Sequence, residues 1–189
     1  PVPHGGLTAA DTDQWTKVWA ASDYEPDDLI AKTYGGGALA SFDGYLYWGT
    51  MHVPGVSLAA FTKLYGEPTD TNEFIRLFLA THRAIQIFRG RYFGTATQEV
   101  QVLYGSKKLP AYNSVSGEWA LVPNKLGQKP LYGQQGFGNL FNNYTWTMEV
   151  YGNELYVGTM DCSFPGWELL PLLVDPDTMN LINFYFSIY

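Results

Sequence analysis

The sequence predicts an all-β protein, a β-propeller of four-stranded antiparallel blades, with about three blades and part of a fourth in this chain. Three observations predict it. A strand–turn–strand unit occurs three times along 189 residues. The composition is rich in residues of strands and turns, with 14 Tyr, 11 Phe, 6 Trp, 20 Gly and 11 Pro against only 15% charged residues. The units also recur at blade-like spacing. Phe42 to Phe88 is 46 residues, and Phe88 to Tyr151 is 63, one extended loop more.

The third unit is the clearest. Thr147, Met148, Glu149, Val150 and Tyr151 are β-prone, Gly152-Asn153 tolerates the positive φ of a tight turn, and Glu154-Leu155-Tyr156-Val157 returns to Gly158-Thr159. In the first unit, Ala38 to Phe42 turns at Asp43-Gly44 into Tyr45-Leu46-Tyr47-Trp48-Gly49-Thr50. In the second, Ala84-Ile85-Gln86-Ile87-Phe88 turns at Arg89-Gly90 into Arg91-Tyr92-Phe93-Gly94-Thr95. Third strands are expected over 57–65, 99–104 and 167–174, giving blades at about 34–66, 80–123 and 143–175 within one domain.

Taken in order, the chain opens on an irregular lead-in. Trp15 to Val18 repeats the spacing of Trp119 to Val122, so both are expected as the outer strand of a blade. Glu25-Pro26-Asp27-Asp28 reads as a turn. Residues 72–80 carry Phe74, Leu77 and Phe78 at helical spacing, which leaves strand and helix equally open there. A Gly- and Gln-rich loop is expected over 124–142. Closed propellers need about 4–8 blades, so three imply a longer protein or further copies completing a ring. The apolar end, residues 181–189, is expected to be a strand, either cut off mid-architecture or pairing with a neighbour, the latter a route to self-association.

The net charge of −7 argues against nucleic acid and anionic membrane surfaces as partners. No apolar run approaches the ~20 residues of a membrane-spanning helix. One cysteine, Cys162, excludes an intrachain disulfide.

The tract Gly136-Phe137-Gly138-Asn139, Asn142-Asn143-Tyr144, Met148-x-Val150-Tyr151, Leu155-Tyr156-Val157-Gly158-Thr159 and Gly166-Trp167-Glu168-Leu169 is similar to the GFGN…MxVFNGxLYVGT…GxE(I/L)W repeats of exported bacterial β-propeller proteins. The resemblance covers about residues 34–170 in three copies, strongest in the third. Arg91 and a shortened turn depart from the pattern in the second. It implies a propeller in an extracellular or cell-surface setting, and it implies no settled activity.

If the first strand of each hairpin is innermost, aligning the three hairpins brings His82, Arg83, Tyr144 and Trp146 to the mouth of a central channel, with Glu149 further inside. A cation beside aromatic rings suits an anionic or sugar ligand, since Trp stacks on sugar faces and Arg forks to carboxylates. The plainer alternative has Trp146 filling a gap between blades and His82-Arg83 in a solvated turn. The three histidines, His4, His52 and His82, show no metal-ligand spacing, and no nucleophile elbow or phosphate loop appears, so neither metal nor cofactor is expected. The sequence thus points to a non-catalytic binding or scaffold module for glycans or protein partners. Two alternatives are a carbohydrate-active enzyme using carboxylates such as Glu149 and Asp161, and a structural subunit of an extracellular assembly.

Overall fold

The computed structural model describes residues 6, 8–163, 176–177, 179–180 and 183. The expected strands over 167–174 and 181–189 lie outside the described residues, apart from Asn183. What is described is mostly β: a mixed sheet curled into a half-barrel, with helices beside it.

Two of the three predicted hairpins form as read. Strands β1 (Gly35–Phe42) and β2 (Tyr45–Met51) turn at Asp43-Gly44, both at positive φ. After α2 (Val56–Tyr65), α3 (Thr71–Thr81) and the central strands come β8 (Asn142–Tyr151) and β9 (Glu154–Asp161), which turn at Gly152-Asn153. The two hairpins share one register. Gly35 and Tyr144 each lie opposite the Met of a Gly-Thr-Met string, Met51 and Met160, and each ladder then shifts just beyond, after Gly36 and after Thr145.

The second hairpin is corrected by one strand. Arg89-Gly90 is not a turn but the middle of β3 (Ile87–Arg91), where Gly90 pairs with Leu46 on one side and Val100 of β4 (Glu99–Gly105) on the other. Gly90 is there for closeness rather than for turning: a Cβ would lie 2.6 Å from the Phe93 ring and 2.7 Å from the Glu99 carbonyl. The true turn follows at 92–98, with Tyr92 and Gly94 at positive φ.

The two hairpins and the central strands lie in one continuous sheet. Its path runs β7 (Gly133–Gln134), β4, β3, β2, β8, β9, with β1 on the other edge of β2. The start of β8 wedges between strands that diverge. The His52 amide donates to the Asn143 carbonyl at 2.8 Å and the Ile85 amide to the Asn142 carbonyl at 2.9 Å. The backbones meet tightly at this wedge: a Cβ on Gly49 would sit 2.5 Å from Thr145 Cβ. Gly49→Ala is therefore expected to cost about 1–3 kcal/mol by overpacking. Urea titration checks this, and an unchanged midpoint would refute the close approach.

Neighbouring residues on the central strands are both buried, so the sheet is covered on two faces. Trp48, Phe88 and Val102 pack with Tyr24 and Leu109, while Tyr47, Ile87 and Leu103 pack with Ile85 and Met148 of β8. The curl thus lets the sheet cover part of itself.

Two further expectations are corrected. Residues 57–65 form α2 rather than a third strand, because Leu58, Phe61 and Tyr65 fall on one helical face. Phe61 is buried there against Tyr112 and Trp119, at 4.8 and 5.2 Å. Those two belong to a separate hairpin of β5 (Lys108–Asn113) and β6 (Glu118–Pro123), so the second Trp strand does form. The first does not. Residues 14–19 are irregular, with Trp15 exposed and Trp19 packed on Trp48 and Phe88. Residues 72–80 resolve to helix, within α3, where Asp70 accepts the Glu73 amide at 2.9 Å as an N-cap. Among the described residues no helix is long and apolar enough to cross a membrane.

Candidate functional site

The residues predicted to share a channel mouth divide between the interior and the surface. His82 and Arg83 follow α3 directly, and both are buried rather than part of a solvated turn. Arg83 forks onto Glu25, Nε donating to Oε2 at 2.8 Å and Nη2 to Oε1 at 3.1 Å, inside a site where both side chains are almost completely enclosed. Its remaining donors go to the carbonyls of Ala80, His82 and Pro110, each at 2.8–2.9 Å. Tyr34 donates to Glu25 Oε2 at 2.7 Å, and the Asp27 amide to Oε1 at 3.1 Å. Burial alone would lower the Arg83 pKa; the charge and hydrogen bonds of Glu25 reverse this and raise it. Burial, with Glu25 beside it, raises Tyr34 well above the usual phenol range.

The turn read in Glu25-Pro26-Asp27-Asp28 contains the acid of this pair. Asp27 caps the short helix α1 (Asp28–Ala31) by accepting from the Leu29 and Ile30 amides, and its other oxygen accepts the Tyr112 amide at 3.0 Å. One turn therefore ties α1, β5 and the end of α3 together.

Two neutral histidines flank this pair. At His52 the partners admit one consistent arrangement. The Gln86 backbone amide donates to Thr50 Oγ1 at 2.9 Å, the Thr50 hydroxyl donates to Gln86 Oε1 at 3.0 Å, and His52 Nε2–H then donates between Thr50 Oγ1 at 2.8 Å and Gln86 Oε1 at 3.2 Å. His82 Nε2 lies 2.9 Å from the Leu140 carbonyl and 3.1 Å from Asn143 Nδ2. Burial pushes His52 down to about 3 and His82 down to about 4.

Asn143 at the start of β8 joins His82 and Arg83 to the third copy, donating from Nδ2 to the Arg83 carbonyl at 3.0 Å. His82 and Arg83 thus meet the start of β8 in a packed interior rather than at a channel mouth. Tyr144 is half-buried, and Trp146, at the register shift of β8, is 66% exposed with its ring 6.3 Å from that of Tyr144. Glu149 is exposed three residues further along, about 10 Å by strand rise.

Glu149 pairs with Tyr156, whereas Asp161 pairs with Asn142 at the opposite end of the same ladder. Seven residues of strand separate the two carboxylates by about 23 Å, beyond the ~5–9.5 Å of a glycosidase pair. His52 and Asp161 lie on either side of β8, and each is engaged elsewhere: His52 with Thr50, and Asp161 with Asn139 and Ser163. Among the described residues no group of three or more His, Cys, Asp or Glu gathers as a metal site.

A cleft went unread in the sequence. It is about 480 Å³ in volume and runs beneath β5, the 129–138 loop and the end of α3, with Lys107, Lys108 and Lys129 among its lining residues and His82 and Arg83 on its inner side. Lys129 lies 21 residues after the adjacent Lys107 and Lys108, and all three resemble ordinary surface residues until the loop folds beside β5. The loop itself is held in an unusual conformation, with Gly136, Phe137 and Gly138 all at positive φ. No protein family, curated protein or solved structure matches the chain.

Proposed function

We propose that this protein is a non-catalytic binding module, working in an extracellular or cell-surface setting, that presents the Tyr144–Trp146 pair to a glycan or protein partner. The observation that carries the reading is the exposure of Trp146, 66% of a large indole left open on an ordered strand beside a second ring. The 23 Å separation of Glu149 and Asp161 favours binding over paired-carboxylate hydrolysis.

The setting rests on the resemblance of the repeats to those of exported propeller proteins. The shared register of β1–β2 and β8–β9 supports descent from one repeat unit. In this reading the units are hydrogen-bonded into one sheet here, and a radial array of blades would require further copies.

Titration against a panel of neutral and acidic oligosaccharides, read by tryptophan fluorescence, tests the proposal. Saturable binding is expected, weakened about tenfold in Trp146→Ala, the order of a lost aromatic contact. An unchanged isotherm in that variant would remove the site.

A further inference from the structure

Independently of the aromatic pair, we infer that the cleft under β5 binds an amphipathic anion, a ligand with an apolar body and one negatively charged head, of the fatty-acid type. Two features of its walls carry this. The first is charge. Lys107, Lys108 and Lys129 line it, and no Asp or Glu is among its described lining residues, in a protein whose net charge is −7. The charge of Arg83, on the inner side, is already matched by Glu25, so the lysines supply the uncompensated positive charge. All three are exposed, where an ammonium stays hydrated and mobile enough to reach a carboxylate at the rim.

The second feature is the apolar interior. Leu79, Leu121 and Leu140 face the same space, together with prolines 110 and 130. Leu121 is 63% exposed, a large aliphatic side chain left open at the edge of the β5–β6 hairpin. A purely polar anion, such as phosphate, would leave these walls unused. A purely apolar ligand would leave the lysines unused. A volume near 480 Å³ falls within the range of small-molecule clefts, about 300–1,000 Å³. Burying each methylene contributes about 0.8 kcal/mol, so affinity should rise with chain length until the cleft is filled.

Three probes separate head from body: decanoate below its micellar concentration, decanol, and acetate. Binding is followed by leucine methyl chemical shifts, which locate the ligand. Decanoate is expected to shift the Leu79, Leu121 and Leu140 methyls saturably and to bind at least tenfold more tightly than either decanol or acetate. The K107Q/K108Q/K129Q variant changes only exposed side chains. It should lose at least tenfold for decanoate and leave decanol unchanged, and added salt should weaken decanoate alone. Equal binding of acetate and decanoate, shifts that map elsewhere, or a lysine variant that binds decanoate as before would each overturn the inference. Because Trp146 is not part of the cleft, failure here is distinguishable from failure of the Trp146→Ala test.

Discussion

Arg83→Met is expected to lower the unfolding free energy by about 3–5 kcal/mol, because it strands the Glu25 carboxylate in the interior. Glu25 would keep Tyr34 and the Asp27 amide as partners but lose both bonds of the guanidinium fork. Against a typical stability of about 5–15 kcal/mol, this is a large share of the total. Glu25→Gln should cost a comparable amount by leaving the cation unmatched. The double variant Glu25→Gln/Arg83→Met should be less damaging than the sum of its parts, since the two charges disappear together. Urea denaturation of the four proteins gives the coupling. Additive losses would mean that the two side chains do not act as a pair.

Acidification from pH 7 to pH 5 is expected to remove about 2 kcal/mol of stability for each of His52 and His82. Both have folded-state pKa values pushed below the ordinary 6.5, to about 3 and about 4. In that window the unfolded chain takes up protons that the folded one refuses. Their contribution is therefore complete above about pH 6.5, declines as the pH falls, and is gone once both histidines protonate in the folded state. Arg83 adds to the effect, since its charge disfavours a second cation at either ring. His52→Gln retains an N–H donor without the titration and should flatten the profile by about half. Equal stability at pH 7 and pH 5 would mean that the rings are not buried neutral.

The sequence made some elements legible and concealed others for definite physical reasons. The hairpins around Asp43-Gly44 and Gly152-Asn153 were readable because turn residues and β-prone flanks agree there, and their common register follows from matching Gly-Thr-Met strings. Gly90 misled because glycine serves turns and close packing alike, and only the Phe93 ring and the Glu99 carbonyl show which applies. Helix α2 carries its signal at Leu58, Phe61 and Tyr65, but the expectation of a third strand in each repeat overrode the 3.6-residue period. The pairing of Glu25 with Arg83 spans 58 residues and has no local signature. The same holds for the lysine cleft, where Lys129 joins Lys107 and Lys108 only when the 129–138 loop lies beside β5. Trp146 stood out in the sequence as an aromatic beside Tyr144, and its exposure required the fold.

The claim on which the account rests is that the two matched hairpins form one sheet, with the start of β8 hydrogen-bonded between the end of β2 and the segment that leads into β3. A nuclear Overhauser spectrum of the labelled protein tests this most directly. Cross-strand contacts are predicted from Tyr144 to both Met51 and Met160, with the His52 amide protected from exchange by the Asn143 carbonyl. Contacts from Tyr144 to Met160 alone, with the His52 amide exchanging freely, would mean that the hairpins stand apart, and the continuous sheet would be wrong.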